Sequence, residues 1–111
     1  MATKWKINYW PSTDKGDVEK WLDKLTDEQY KSVSKVMVML ESMGNMLRLP
    51  HSRSLGNGLF ELRERRYEYR IYYTFHEGRV ILLLAAGDKS SQKNDIKVAK
   101  LRLLEVLKYR G

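Results

Sequence analysis

The sequence predicts an α+β protein whose elements run β-α-α-β-β-β-α. A small antiparallel-rich sheet should carry an N-terminal helical hairpin on one face, with a further helix at the C-terminal end. Three observations predict this. From residue 58 onward the apolar residues alternate, with Phe60 and Leu62, then Tyr69, Ile71, Tyr73 and Phe75, and that period of two belongs to strands. Residues 80–86, Val-Ile-Leu-Leu-Leu-Ala-Ala, do not alternate, as suits a central strand covered on both faces. Helical spacing comes before these strands and after them, and segregated helices and strands mark the α+β class.

Taken in order, Trp5-Lys6-Ile7-Asn8-Tyr9-Trp10 alternates and is rich in strand formers, which predicts a first strand. Pro11 ends it, because proline cannot donate to a ladder. Residues 12–16 form a polar turn. A short helix starts near Asp14 or Asp17, with Val18, Trp21, Leu22 and Leu25 as its apolar face. Thr26 followed by Gln29 is a capping-box pattern that opens a second helix. Its stripe is Tyr30, Val33, Val36 or Met37, Leu40 and Met43, and Gly44-Asn45 closes it. The short link between the two helices implies an antiparallel hairpin.

Residues 47–57 read as an irregular crossing segment, marked by Pro50 and by Gly56-Asn57-Gly58. The following turns fall near residues 64–66 and at His76-Glu77-Gly78. After Gly87 comes a polar loop over residues 88–94. Asn94 or Asp95 then caps a last helix that buries Ile96, Ala99, Leu103, Val106 and Leu107.

The functional reading rests on strand parity. Burying Phe60 and Leu62 together with Ile71 and Tyr73 sends Glu61, Arg63 and Arg65 to the other face, along with Glu68, Arg70 and Tyr72. Arg63 and Arg70 therefore stand together on the face left partly open. The crossing segment adds Arg48, His51 and Arg53, all of them phosphate-binding types, and Lys89 follows the last strand. The residues alone leave two readings of this face. It is a solvated strand surface with arginines paired to Glu61 and Glu68, or it is a phosphate site.

Composition narrows the class. The chain has 111 residues, enough for one domain over 1–111, and 42% of them are hydrophobic. There is no cysteine, which removes thiol chemistry and fits a reducing cytoplasm. Met1-Ala2-Thr3-Lys4-Trp5-Lys6 lacks an apolar signal region, and the run at residues 80–86 is too short to span a bilayer. No membrane association is expected. Twenty-one basic against 14 acidic residues give a net charge of +7, which favours polyanionic partners. Two histidines and scattered carboxylates make no metal-ligand constellation, and no cofactor is expected.

Gly58-Leu59-Phe60-Glu61-Leu62-Arg63, then Tyr69-Arg70-Ile71-Tyr72-Tyr73, then Leu82-Leu83-Leu84-Ala85-Ala86-Gly87-Asp88-Lys89-Ser90-Ser91-Gln92, with Asp95-Ile96 and Ala99 following, resembles the RelE/HigB toxin superfamily. Within it the chain is similar to the phage-Gp49-like branch of addiction-module killer proteins. The resemblance covers nearly the whole chain, and the Gly87–Gln92 stretch is its most specific part.

The resemblance implies a RelE/ParE-like fold and the toxin of a type II toxin–antitoxin pair. Such toxins are ribosome-dependent mRNA endoribonucleases (mRNA interferases) that work without metal, by attack of the RNA 2′-OH on the adjacent phosphate. The implied partners are a cognate antitoxin of helix-turn-helix, HigA-like type, the ribosome with its mRNA, and operator DNA through the antitoxin only. Arg70 matches the strand arginine that contacts the scissile phosphate. Arg63 matches the arginine of the branch, and Lys89 falls where a second cation often sits. With the resemblance added, the phosphate reading of the face is favoured.

RelE carries two lysines where this chain has Leu59 and Glu61, and a tyrosine near the position of Asp95. An acid and a base must therefore come from elsewhere. His51, of the residue type whose unperturbed pKa lies near neutrality, is the candidate general acid or base. Arg48, Arg53, Arg65, Tyr72, Gln92 and Lys93 are candidates for holding RNA. Two alternatives are a ParE-like DNA gyrase poison and a catalytically decayed prophage toxin relic.

Overall fold

A computed structural model describes residues 4–11 and 16–110. The elements are β1 (Lys6–Tyr9), α1 (Asp17–Asp23), α2 (Asp27–Met43), β2 (Ser52–Gly56), β3 (Leu59–Glu64), β4 (Tyr69–His76), β5 (Val80–Gly87) and α3 (Gln92–Arg110). Single 3₁₀ turns cover Gly44–Met46 and Lys89–Ser91. The strands make one sheet in the order β1-β5-β4-β3-β2. The chain crosses from one edge to the other through α1 and α2, then walks back strand by strand. Every pairing is antiparallel except β1 with β5.

The expected polar turn and the alternative start at Asp14 fall largely on residues 12–15, outside the described residues. The capping box of α2 forms as its sequence predicts: Gln29 N–H donates to Thr26 Oγ1 at 3.2 Å and Thr26 N–H donates to Gln29 Oε1 at 2.9 Å. Val33, Val36 and Leu40 are buried, whereas Tyr30 and Met43 lie half-exposed at the margins of the expected stripe. Gly44 ends α2 at φ 50°, and a Cβ there would lie 2.0 Å from the indole nitrogen of Trp5. Only glycine permits both the dihedral and the contact.

The crossing segment departs from expectation, because it contains β2. Gly56 pairs with Leu59, so Asn57 and Gly58 are the two residues of a hairpin turn. Their φ values of 54° and 85° are both left-handed, as the tightest hairpins require. The Asn-Gly pair was the available signal. Two side chains then anchor this edge strand: the buried Ser52 hydroxyl meets the Tyr73 hydroxyl at 2.5 Å, reaching across β3 to β4.

The sheet is covered unequally on its two faces. On the first, Val18, Leu22, Val33, Val36 and Leu40 of the helical hairpin pack on Leu62, Ile71, Tyr73, Ile81 and Leu83. On the second, Ala99 and Leu103 of α3 pack on Leu59, Tyr72, Leu84 and Ala85. Helix α3 lies mainly across β5 and β4, so the second face stays open over β3 and β2. Leu107 is half-exposed on the outer side of α3, contrary to its expected burial. The helix also starts earlier than expected. Asp88 caps the segment by accepting from Ser90 N–H at 2.9 Å and Ser91 N–H at 3.1 Å, so Asn94 and Asp95 fall inside the first turn.

A bulge in β5 lets it serve both cores. The register shifts between Tyr72 and Tyr73, which pair with Ala85 and Leu83 and leave Leu84 as the extra residue. Leu84 and Ala85 thus both join the second core. Arg102 of α3 donates to the Leu84 carbonyl at 2.7 Å, pairs with Asp17 of α1 and lies over the Trp10 ring. One side chain therefore ties α3 to the bulge and to the helical hairpin. Among the described residues, no helix is long and apolar enough to cross a membrane.

Arg102→Met keeps the alkyl stem and removes the charged donor at the bulge. It is expected to lower the unfolding free energy by about 1.5–3 kcal/mol, read as a reduced urea midpoint with an unchanged slope.

Candidate functional site

Strand register assembles the site on the open part of the second face. Arg53 of β2 pairs with Glu61 of β3, Glu61 with Tyr72 of β4, and Arg63 directly with Arg70. Two like charges opposed across a strand pair repel. The compensating group is Glu61, whose side chain is fully buried. Its Oε1 lies 3.4 Å from Arg53 Nη2 and 3.7 Å from Arg63 Nε, and its Oε2 lies 3.7 Å from Arg70 Nε. Gln92, at the start of α3, donates to Oε2 at 3.1 Å. One carboxylate thus gathers cations from three strands and a contact from a helix. Parity had placed Glu61 on this face without revealing that it is the centre.

The three arginines differ in exposure, with side chains 10% exposed for Arg70, 36% for Arg63 and 46% for Arg53. Arg70 is the floor and the other two form the rim. Arg70 also donates from Nη1 to the Glu68 carbonyl at 3.2 Å. The Glu68 carboxylate goes instead to Lys89, 3.8 Å away, with both groups exposed. Lys89 therefore stands at the mouth of the cluster. A recess of about 230 Å³ opens beside the pair, lined by Arg63, Glu64, Arg65, Glu68, Tyr69 and Arg70. Arg53, Arg63, Arg65, Arg70 and Lys89, set against the carboxylates of Glu61, Glu64 and Glu68, leave positive charge in excess. The arrangement can hold an anion such as a phosphate group.

The remaining candidates divide. His51 immediately precedes β2, and its carbonyl accepts from Arg63 N–H at 2.8 Å, so it occupies the register position opposite Arg63. Arg65 lies beyond the end of β3, exposed in the turn at the lip of the recess. Lys93 is exposed in the first turn of α3. Two candidates need correction. Arg48 lies toward the other face, beside Phe60, Phe75 and Ser52, with its guanidinium donating to the carbonyls of Asn45 and Leu47. The crossing segment has already turned into the first core there. Tyr72 has no exposed surface, because α3 lies over it, so its ring has no free face for a base.

Among the described residues the Tyr72 hydroxyl makes no well-formed hydrogen bond, although the Glu61 carboxylate lies close to it. Burial pushes its pKa well up, the nearby Glu61 and Asp95 carboxylates add to the rise, and Arg70 opposes it. It stays a neutral phenol at any physiological pH. The Asp95 carboxyl is raised by burial and accepts from Ser91 Oγ at 2.6 Å. Gly87 makes this approach possible: a Cβ there would fall 2.0 Å from Asp95 Oδ2 and 2.4 Å from Ser91 Oγ. The missing side chain lets the start of α3 close on the end of β5, which brings Gln92 to Glu61.

Comparison with known proteins gives a consistent picture. Residues 20–103 match the family model described as phage-derived protein Gp49-like. A Haemophilus influenzae (strain Rd) protein, described as uncharacterized, is 35% identical over 89 residues, which are 79% of this chain and 87% of that protein. Among solved structures, a double arginine-to-alanine mutant of Escherichia coli toxin RelE in the free state superposes with a TM-score of 0.65 at 15% identity, covering 89% of this chain and 97% of that one. Isolated E. coli RelE gives 0.56 at 16% identity, over 76% and 83% of the two chains. A chain of the Pyrococcus horikoshii RelE–RelB complex gives 0.53 at 18% identity, over 78% of this chain and 96% of that one. The fold is that of RelE.

Asp88 carries the turn that presents Lys89 and Gln92. Hydrogen bonds from the Ser90 hydroxyl and the Ser91 amide hold its pKa below the usual carboxylate value. A depressed folded-state pKa stabilises above the unfolded value and is lost as pH falls through the folded one. Asp88→Ala is therefore expected to cost about 1 kcal/mol at neutral pH. The difference from wild type should shrink below about pH 4, when the two melting temperatures are followed against pH.

Proposed function

This chain belongs to the Gp49-like family of phage-derived proteins, and on that premise we propose that it is the toxin of a type II toxin–antitoxin pair, acting as a ribosome-dependent mRNA endoribonuclease. The observation that carries the reading is the Arg63–Arg70 pair, two guanidiniums held side by side on the open part of the sheet with Arg53 and Lys89 at the margin. The RelE fold and the RelE–RelB complex among its structural relatives support a toxin with a cognate antitoxin. The antitoxin is of HigA-like type, and operator DNA is reached through it.

In the proposed reaction the RNA 2′-oxygen attacks the adjacent phosphorus while the bond to the 5′-oxygen breaks. The products are a 2′,3′-cyclic phosphate and a free 5′-hydroxyl. One proton leaves the 2′-OH and another reaches the departing oxygen. Charge grows on the non-bridging oxygens, and Arg70 and Arg63 are placed to stabilise it, because guanidinium forks bind phosphate oxygens and stay charged. Lys89 closes the site from the α3 side. His51, opposite Arg63, is the proton carrier of this scheme. Arg53, Arg65, Gln92 and Lys93 border the path of the strand. The decoding site of the ribosome supplies the substrate, and the basic surface serves that docking, so association weakens with salt.

The decisive test is induction in a bacterial host with mapping of new mRNA 5′ ends, for wild type and Arg70→Ala. Growth arrest with cuts in translated messages is expected, reduced at least about 100-fold by the substitution. Arrest without new ends, accompanied by double-strand DNA breaks, would instead identify a gyrase poison. Full expression with neither arrest nor cutting would identify an inactive relic.

A further inference from the structure

The cluster contains a fully buried charged group that the phosphate reading leaves unused, the carboxylate of Glu61. It is fully buried, yet its distances to Arg53, Arg63 and Arg70 are 3.4, 3.7 and 3.7 Å, beyond the range of charge-assisted hydrogen bonds. Glu61 Oε1 and Arg70 Nε are both buried, and neither has a hydrogen-bond partner among the described residues. Gln92 Nε2 donates to the carboxylate at 3.1 Å, and the Tyr72 hydroxyl lies close to it. Buried charges ordinarily settle into short, satisfied contacts, because unsatisfied ones are costly. Here a carboxylate draws guanidiniums together without engaging their donors fully.

We infer that Glu61 is the positioning residue of this site: an internal anion that keeps three arginines converged while no substrate is bound, and that releases the two rim arginines to an incoming phosphate. The inference rests on the endoribonuclease reading for the identity of that phosphate. Glu61 has no exposed surface, so it does not touch RNA itself.

The exposures define who moves. Arg53 and Arg63 are partly in solvent and can turn outward by rotamer changes, whereas Arg70, 10% exposed and bonded to the Glu68 carbonyl, stays. Gln92 restrains the carboxylate, so it cannot follow them. Phosphate and Glu61 then compete for the same donors, and Glu61 controls both the resting geometry and the affinity. A carboxylate with a purely structural role would predict loss of both together.

Full-length Glu61→Gln, an isosteric neutral variant, separates these. The probes are inorganic phosphate, followed through the Nε–H resonances of the arginines, and cleavage of ribosome-bound message. Removing the competing charge is expected to tighten phosphate binding about tenfold. Loss of preset geometry should lower kcat about 100-fold while KM also falls. Glu61→Asp restores the charge and should return phosphate affinity toward wild type. Unchanged or weaker phosphate binding by folded Glu61→Gln would overturn the inference. If that variant does not fold, wild type decides: phosphate should shift the Nε–H resonances of Arg53 and Arg63, which leave Glu61, more than that of Arg70, which keeps it, and equal or absent shifts would overturn it. A wild type that never cuts RNA, but whose phosphate affinity follows the charge at position 61, would defeat the endoribonuclease reading and leave the role of Glu61 standing.

Discussion

The buried Glu61 carboxylate is the constraint on which the site depends. Arg63 and Arg70 are opposed in register, and the low-dielectric side of a sheet is a poor place for two like charges. Without an anion between them the strand pair would splay, or one guanidinium would swing into water. Breaking a buried charge pair by removing one partner costs about 3–5 kcal/mol, a large share of the stability of a small protein. The cluster therefore couples the integrity of β2, β3 and β4 to the presence of a single carboxylate.

Two backbone irregularities aim α3 so that this cluster is completed and not covered. The bulge at Leu84 turns an extra side chain toward the second core, and its carbonyl receives Arg102. Gly87 removes the side chain that would keep Ser91 and Asp95 away from the end of β5. Between these points α3 lies over β5 and β4, its first turn supplies Gln92, and β3 and β2 remain open. Local rules for strands are broken at positions where the chemistry needs the geometry, a common pattern for bulges.

The open face also explains the gradient in the arginines. Arg70 sits on the strand nearer α3 and is nearly buried. Arg63 and then Arg53 lie progressively farther out and are progressively more exposed. A fixed cation beside movable ones suits capture of a flexible polyanion, because the ordering cost falls on the rim alone. The net charge of +7 acts at longer range, drawing such a partner in before contact.

Alternation in residues 59–63 and 69–75 determined by itself which side chains share a face, because a strand has no other way to bury Phe60, Leu62, Ile71 and Tyr73. The joint placement of Arg63 and Arg70 follows, and so do the capping box at Thr26 and the covered β5. The pair Asn57-Gly58 also carried the turn into β2, although a polar, five-residue edge strand has little periodicity of its own to expose it. Tertiary structure alone decided the rest. Arg48 precedes the turn that leads into β2 and stays on the first-core side, whereas Arg53 lies inside β2, where pairing with Glu61 puts it on the second face. Tyr72 shares the arginine face but is sealed under α3, whose axis is set by the Leu84 bulge and by Gly87. Glu61 reads in the chain as an exposed strand carboxylate. Its burial and its three arginine neighbours exist only once β2 and β4 flank β3, because the field that stabilises it comes from residues distant in sequence.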